Sequence, residues 1–256
     1  MLHNYHTHTW RCKHAAGVER EYIENAIQRG FRTLGFSDHS PWRIPNGDDG
    51  YRMLPSQVEE YCTTLSALRE EYKRDIDIKI GFEAEYFPFW FDDLLELLSP
   101  YPYDYLILGQ HRSGNETGFT HNTHPTDDER DLALYTSQIL AGLYTGKFTY
   151  LAHPDLLRYT GDDKTYRTYM LPFCRAIKKM GIPVEFNFLG FTTGRHYPSE
   201  RFFRIAAEAG CDVICGIDAH TPAAILDTEA EVCALSYLAD LGVTPVENAA
   251  LRDPRL

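Results

Sequence analysis

The sequence predicts an α/β fold in which helices pack around a parallel sheet. Short β-branched and apolar runs alternate along the chain with amphipathic segments, and most of these segments stop at a glycine just before the next run. The 256 residues are 43% hydrophobic and 24% charged, which is enough apolar material for a large core. No linker, low-complexity tract or shift in composition interrupts the alternation. We therefore expect a single domain.

The short runs are the expected strands. Each is rich in β-branched, aromatic or other apolar residues and has the length of a strand in a parallel sheet. In chain order they lie at residues 2–5, 33–37, 78–82, 104–108, 148–152, 182–186 and 212–215.

Apolar residues at helical spacing mark the segments between the runs. They recur from Val18 to Ile27 and stop at Gly30, and Ser56 with Glu59 forms a capping box at the start of the next helix. A glycine closely follows each of the later predicted helices, at residues 128–144, 166–180, 199–209 and 222–241. Two polar stretches without periodicity, residues 40–55 and 113–126, are predicted loops over a site.

Charge and cysteine content limit the kinds of function. With 25 Lys and Arg against 37 Asp and Glu, the net charge of -12 disfavours nucleic acid, so we expect a small substrate. The opening residues lack the apolar run of a signal peptide, and no stretch approaches the length of a membrane span, which favours a cytoplasmic protein. The six cysteines lack metal-finger spacing and are expected to be reduced core residues. The oligomeric state stays open.

Histidine and carboxylate side chains follow most of the predicted strands. In a parallel barrel the carboxyl ends of the strands form the active-site face, so these side chains should meet there. In strand order the ends carry His6 and His8, Asp38 and His39, Glu83 and Glu85, Gln110 and His111, His153 and Asp155, Asn187, and Asp218 and His220; His14 follows the first strand in a loop.

The number and type of these groups predict a multinuclear metal site. The imidazoles of the HTH segment at residues 6–8 point to one side because side chains alternate along an extended chain, and Asp218 and His220 share a side in the same way. Nine candidate ligands are too many for one tetrahedral ion, and imidazole-rich ligation favours Zn, Mn or Fe over Mg or Ca. The nine are His6, His8, His14, His39, Glu83, His111, His153, Asp218 and His220.

In their order along the chain, these motifs resemble those of a known family. The chain is similar to the PHP (polymerase and histidinol phosphatase) superfamily, and within it to the histidinol-phosphate phosphatases. The similarity lies in HTH at residues 6–8, His14, SDHSP at 37–41, GFEAEY at 81–86, GQH at 109–111, LAHPD at 151–155, EFN at 185–187 and GIDAHTP at 216–222.

The resemblance implies a distorted (β/α)7 TIM-like barrel, one PHP metal-dependent phosphoesterase domain over residues 1–256, and three divalent transition-metal ions. Two neighbours of the motif residues depart from the family pattern, Ile217 where Ser is frequent and Phe188 where a small polar residue is frequent. We expect these departures to affect substrate fit rather than metal binding. By the family pattern, one ion would be held by His6, His8, Glu83 and Asp218, a second by His14, His39 and His220, and a third by His111 and His153 with Glu83 shared.

Such a centre is strongly positive and suits a compact dianion. We expect hydrolysis of a phosphate monoester without a covalent enzyme intermediate, because bound metal ions can lower the pKa of water to about 7. The resemblance implies L-histidinol phosphate as the substrate, in histidine biosynthesis. Candidate substrate-binding residues are Arg158, Arg195 and His196, and candidates for proton transfer are Asp218, His220 and His196.

Other interpretations stay open at this point. The same centre could serve a PHP-type nucleotide phosphoesterase or exonuclease, against which the acidic composition weighs. The metals could instead only stabilise a non-catalytic binding domain, although structural zinc sites are usually closed and Cys-rich. His3, His121 and His124 lack a comparable context, and for His121 and His124 we expect a surface position. The aromatic run at residues 86–91 is expected to form core or to line the pocket.

Overall fold

The strands of the main sheet lie side by side in the order in which they occur along the chain. The computed structural model of the chain describes residues 1–43, 50–115 and 118–256. Within those residues seven strands make one parallel sheet, which confirms the predicted α/β class. In their order across the sheet they are β1 (His3–Asn4), β2 (Thr33–His39), β3 (Asp77–Ala84), β4 (Tyr105–Leu108), β7 (Phe148–Leu151), β8 (Val184–Asn187) and β9 (Val213–Gly216).

The first and last strands of this sheet meet at a seam. Thr7 and Ala219 form a parallel bridge just beyond the ends of β1 and β9. The His8 N–H donates to the Ala219 carbonyl at 2.9 Å, and the Ala219 N–H donates to the His6 carbonyl at 3.2 Å. The sheet is therefore a nearly closed barrel, as the resemblance implied, and the seam lies among the predicted metal ligands.

Helices connect consecutive barrel strands, and most follow the predicted spacing. No described helix combines the length and apolar character needed to cross a bilayer. The helix bounds are α1 Glu19–Arg29, α2 Val58–Glu71, α3 Pro88–Leu98, α4 Glu129–Tyr144, α5 Asp163–Met180, α6 Phe188–Thr192, α7 Glu200–Ala209, α8 Pro222–Ile225 and α9 Thr228–Asp240, with short 3-10 turns at Trp10–Cys12 and Pro55–Gln57.

The structure differs from the predicted elements at α3 and at the helix predicted over residues 222–241, and the short helix α6 was not predicted either. The aromatic run at 86–91 leads into α3, because Pro88 suits the first turn of a helix and Phe91, Leu94 and Leu98 lie buried on one face. The predicted helix at 222–241 is broken into α8 and α9. The break arises because the Asp227 carboxylate accepts a hydrogen bond from the Ala230 N–H at 2.8 Å and so caps a new helix.

The predicted loop at 113–126 also proves wrong in part. An antiparallel hairpin of β5 (Arg112–Asn115) and β6 (Gly118–His121) rises from the carboxyl end of β4. Residues 116–117 of that loop, and residues 44–49 of the predicted loop at 40–55, lie outside the described residues. The hairpin matters for function because it carries histidines over the barrel mouth.

Tyrosine rings fill the amino-terminal half of the barrel interior. Tyr105 is fully buried, and its hydroxyl donates to the Tyr5 carbonyl at 2.7 Å. A Cβ at Gly81 would lie 2.5 Å from the Tyr105 ring, so glycine is required where that ring crosses β3. The carboxyl-terminal half of the interior is left for polar side chains. The apolar cluster in the other half includes Tyr5, Tyr105, Ile107, Tyr150 and Ile214.

Candidate metal centre

The carboxyl ends of the barrel strands bring the predicted ligands together. His6 and His8 follow β1, His39 ends β2, and Glu83 is the second-last residue of β3. A cavity of about 560 Å³ opens above them. His6 and His8 are fully buried beneath its floor, and the cavity is lined by the other seven predicted ligands, His14, His39, Glu83, His111, His153, Asp218 and His220.

Glu83 lies at the centre of the cluster. Its Oε1 is 2.7 Å from His153 Nε2 and 3.4 Å from His111 Nε2. Its Oε2 is 2.9 Å from His39 Nδ1 and 3.6 Å from the Nε2 atoms of both His6 and His8. A Cβ at Gly109 would lie 1.9 Å from Oε1, so the backbone after β4 closes directly on the carboxylate. This position is the one expected of a bridging carboxylate.

Asp218 gathers a second set of imidazoles on the seam side. Its Oδ1 lies 3.0 Å from His8 Nε2 and 3.4 Å from both His6 Nε2 and His220 Nδ1. The rings stack: the His220 centroid is 4.2 Å from that of His8 and 4.7 Å from that of His14. Such close imidazoles require a common cation or neutral rings.

Buried atoms in the cluster lack hydrogen-bond partners, and this tests whether a metal fits. Among the described residues, His6 Nε2, His8 Nε2, Glu83 Oε2 and Asp218 Oδ1 are buried and have none. A buried polar atom without a partner is costly, and a divalent cation would satisfy all four at once. Groupings of donor atoms within 4.8 Å of one another include His6 with His8 and Glu83, and His8 with His39 and His220. The donor set therefore fits divalent metal ions.

The protonation states of three imidazoles in the cluster and of Glu83 also suit metal binding. Burial lowers the pKa of His39 and of His111 to about 3, and that of His220 to about 4, so these rings are neutral near pH 7. Burial alone would raise the pKa of Glu83, but the surrounding imidazoles hold it well below its usual range. The carboxylate is charged and these imidazoles are neutral, which are the forms that ligate metals.

Glu185, on β8, supports three of the predicted ligands from below. It is fully buried, and its Oε1 accepts a hydrogen bond from His6 Nδ1 at 2.8 Å. Its Oε2 accepts from the His153 backbone N–H at 3.0 Å and from Asn187 Nδ2 at 2.9 Å. Asn187 Nδ2 also lies 3.1 Å from Asp218 Oδ2. A carboxylate behind an imidazole fixes its tautomer and leaves Nε2 free for a metal.

Two of the residues tied to Glu185 have unusual backbone conformations. His153 has φ of 28° and Asp218 has φ of 55°, values that non-glycine residues rarely adopt. Strain of this kind persists where surrounding contacts enforce it, and it clusters at functional sites. The Glu185 network supplies those contacts.

Asp38 supports the opposite side of the cluster. Its Oδ1 accepts from the His39 N–H at 2.8 Å and lies 3.5 Å from His8 Nδ1, while its Oδ2 accepts from the Thr9 hydroxyl. Asp38 was predicted at a strand end without a role, and no role was predicted for Glu185. A charged residue between Val184 and Phe186 in an apolar strand was the signal for Glu185.

The candidate substrate-binding residues separate in the structure. Arg195 lines the cavity and its Nη1 donates to the Tyr197 hydroxyl at 2.7 Å. Arg158 is exposed and, with His196, is absent from the described residues of the cavity lining. His196 Nε2 donates to the Leu156 carbonyl at 2.8 Å, which fixes the orientation of the ring. Arg195 is therefore the one candidate of the three that lines the cavity, as far as the described residues show.

One part of the cavity wall comes from residues that were not predicted to lie at the site. His121 and His124, expected at the surface, line the cavity because the hairpin folds over it. Their rings lie 5.6 Å apart. Arg52 reaches the same wall and pairs with Glu85, Nη2 to Oε2 at 2.8 Å. The other described lining residues that were not predicted are Tyr51, Arg112, Thr123, Leu156, Leu189 and Tyr197.

Comparison with known proteins agrees with this geometry. A family model described as the PHP domain matches residues 4–188. A probable histidinol-phosphatase of Deinococcus radiodurans is 30% identical over 232 residues, which cover 85% of each chain. A histidinol-phosphatase of Bacillus subtilis is 31% identical over 113 residues, 41% of this chain and 42% of that one.

A solved structure supports the fold. The histidinol phosphate phosphatase of Lactococcus lactis, crystallised with Zn, L-histidinol and phosphate, superposes with a TM-score of 0.70. The two chains are 19% identical, and the superposition covers 99% of this chain and 97% of the other. At that identity the likeness concerns the arrangement of the strands and helices.

Proposed function

The chain belongs to the PHP domain family, and from that membership we propose that it hydrolyses L-histidinol phosphate to L-histidinol and phosphate, a step of histidine biosynthesis. The proposal depends chiefly on one observation: a carboxylate and imidazole cluster with unpartnered buried donor atoms lies at the floor of a cavity of about 560 Å³. A cavity of that size suits a small monoester. The match to the Deinococcus radiodurans relative along most of both chains supports this substrate.

We assign the whole of residues 1–256 to one metal-dependent phosphoesterase domain. The family model ends at residue 188, but Asp218 and His220 follow β9, which completes the barrel beside β1. The last part of the chain therefore belongs to the same catalytic unit.

The donor set supports three divalent ions, of Zn, Mn or Fe. His6, His8, Glu83 and Asp218 would hold one ion and His14, His39 and His220 a second. His111 and His153 would hold the third, with Glu83 shared, and Glu83 Oε1 is the oxygen that faces both of these rings. Divalent ions so bound would supply Lewis-acid stabilisation of the phosphate oxygens and an activated water.

The chain's own residues would orient the ester and handle its protons. Arg195, held by Tyr197, presents its guanidinium to the cavity and can fork two phosphate oxygens. Asp218 and His220 line the cavity and remain the better placed candidates for proton transfer to the leaving alkoxide. His196 is less well placed for proton transfer, because its Nε2–H already donates to the Leu156 carbonyl. Arg158 would need a rearrangement of its exposed side chain to reach the phosphate.

The part of the cavity lining near the β5–β6 hairpin would receive the alcohol part of the substrate. His121, His124 and Tyr51 line the cavity and offer aromatic faces. An imidazole-bearing alcohol can stack on such faces. The net charge of -12 is consistent with a small-molecule substrate rather than nucleic acid. We also propose that the protein acts in the cytoplasm.

A panel of substrates tests the proposal. Purified full-length protein should release phosphate from L-histidinol phosphate with a higher kcat/KM than from an aryl phosphate or a nucleoside monophosphate, and it should leave a bis-aryl phosphodiester intact. Preference for a nucleotide or a diester would replace the proposal with the nucleotide phosphoesterase or exonuclease alternative. Metal-loaded protein inactive on the whole panel would favour a binding domain.

Arg195→Ala should lower kcat/KM for every monoester in the panel by about 10- to 100-fold, the effect of losing a hydrogen bond to a charged group. The phosphate is common to all substrates, so the loss should be uniform, with metal content unchanged. Arg158→Ala is the matched comparison and should cause a smaller loss. A larger loss in Arg158→Ala would mean that the loop closes further over the cavity than the structure shows.

Metal analysis should find close to three equivalents of transition metal per chain, because nine converging donors exceed the needs of one or two ions. Protein purified without chelator and analysed by elemental mass spectrometry gives the count. A single equivalent that added Zn or Mn does not increase would contradict the trinuclear assignment.

A further inference from the structure

Cys12 lies inside the imidazole cluster. It ends the short turn Trp10–Cys12 and is fully buried. Its sulfur and one ring nitrogen each of His14 and His220 lie within 4.8 Å of one another. Cys12 was predicted to be a core cysteine, but its place beside two imidazoles distinguishes it from one.

An independent observation marks the same place. His8 and Asp38 form a second grouping of this kind with Cys12, again with ligand atoms within 4.8 Å of one another. His8 Nδ1 is fully buried and has no hydrogen-bond partner among the described residues. A thiol, a carboxylate and an unpartnered ring nitrogen thus converge beside the His14 and His220 pair. This convergence requires either a cation or a hydrogen bond from the thiol.

The local backbone presents Cys12 and His14 together. Lys13 adopts the left-handed conformation, with φ of 70°, and its N–H donates to the Trp10 carbonyl. The His14 ring turns back so that Nδ1 lies 2.7 Å from the Cys12 carbonyl oxygen, and His220 Nδ1 lies 3.0 Å from the Asp218 carbonyl oxygen. When both Nδ1 atoms donate to carbonyls, both Nε2 atoms remain free as metal donors.

We propose that Cys12 is a thiolate ligand of the ion that His14 and His220 hold, an inference that rests on the proposed metal centre. Ligation forms a metal–sulfur bond in place of the S–H bond, and the thiol proton is released to solvent. With His39, the donors form a set of three nitrogens and one sulfur, which is the number and type that tetrahedral zinc prefers.

The two sides of the centre then differ in chemistry. The side with Glu83 and Asp218 offers carboxylate oxygens with imidazoles, and the Cys12 side offers a soft sulfur with imidazoles. Soft ligands select Zn over Mn, so the Cys12 position should retain Zn or Co2+ when Mn fills the others. This asymmetry accounts for a cysteine buried among histidines.

Cobalt spectroscopy tests the proposal on the full-length protein, stripped with chelator and reloaded with Co2+. A thiolate ligand gives an intense near-ultraviolet sulfur-to-cobalt charge-transfer band in addition to the visible d–d bands. We expect this band in the wild type and its loss in Cys12→Ser and Cys12→Ala. The affinity for one Co2+ equivalent should also fall, by at least the 10- to 100-fold seen when an outer partner of a ligand is removed. Cys62→Ser, which alters another buried thiol, is the matched control and should keep the band.

The outcomes separate the two proposals. Visible d–d bands without the charge-transfer band in the wild type would show that cobalt binds and that Cys12 is not a ligand. Absence of all cobalt bands in folded wild-type protein would refute the metal centre itself. Because the wild-type spectrum decides the question, a variant that fails to fold does not leave the proposal untested.

Discussion

Glu83→Gln should remove most of the bound metal and lower kcat/KM by more than about 100-fold, beyond the range expected for an outer partner of a ligand. The five imidazoles nearest its two oxygens belong to predicted ligands of different ions. The amide keeps the shape but removes the negative charge that these ions would share, and its NH2 group would face an imidazole nitrogen or an ion. Elemental analysis and steady-state kinetics on the same preparation measure both losses.

Glu85→Gln is the control for that experiment. Glu85 is two residues away and equally buried, but its carboxylate faces Arg52 instead of the imidazoles. We expect normal metal content and at most a moderate loss of stability from the weakened ion pair. Equal metal loss in the two variants would mean that the bridging role has been given to the wrong glutamate.

Glu185→Gln should weaken metal binding by about 10- to 100-fold, although the residue touches none of the proposed ions. Its two oxygens accept hydrogen bonds from His6, His153 and Asn187. A glutamine in the same place must point an N–H group at one of those donors, which leaves a buried donor unsatisfied at a cost of about 1 to 3 kcal/mol. Calorimetric titration of stripped protein with Zn and thermal unfolding of the metal-free form measure the two effects.

The exposed Glu208, which pairs with Arg167, provides the comparison for Glu185. Glu208→Gln removes the same charge from the surface and should change neither measurement appreciably. Wild-type zinc affinity in Glu185→Gln, with normal unfolding, would show that the ligand geometry does not depend on this carboxylate.

Much of the site could be predicted because parallel strands obey simple rules. Side chains alternate along each strand, and all carboxyl ends lie on one face, so His6, His39 and Asp218 had to approach one another once the strands were located. Glycine stops located the ends of α1, α5 and α7 for a similar reason, since a glycine cap is a local property of the chain.

The remainder depends on contacts between segments distant in sequence. Neither the position of Glu185 behind His6 nor that of Cys12 beside His220 follows from any spacing, because both depend on how the barrel closes. His121 and His124 reach the cavity only through the hairpin pairing of β5 with β6. The helix that starts at Pro88 was missed because its aromatic residues also fit a pocket wall or a buried strand.

The seam between Thr7 and Ala219 has a consequence for folding and for the unfolded chain. The bridge itself is short, and predicted ligands lie on both sides of it, His6 and His8 after β1 and Asp218 and His220 after β9. An ion shared by the two sides would join segments near opposite ends of the sequence, like a reversible cross-link across almost the entire polypeptide. The entropy cost of closing a loop grows with its length, so a link at this position offsets one of the largest such costs available to the chain. Metal would thus fasten the last strand to the first, and the barrel would be easiest to open there when the ions are removed.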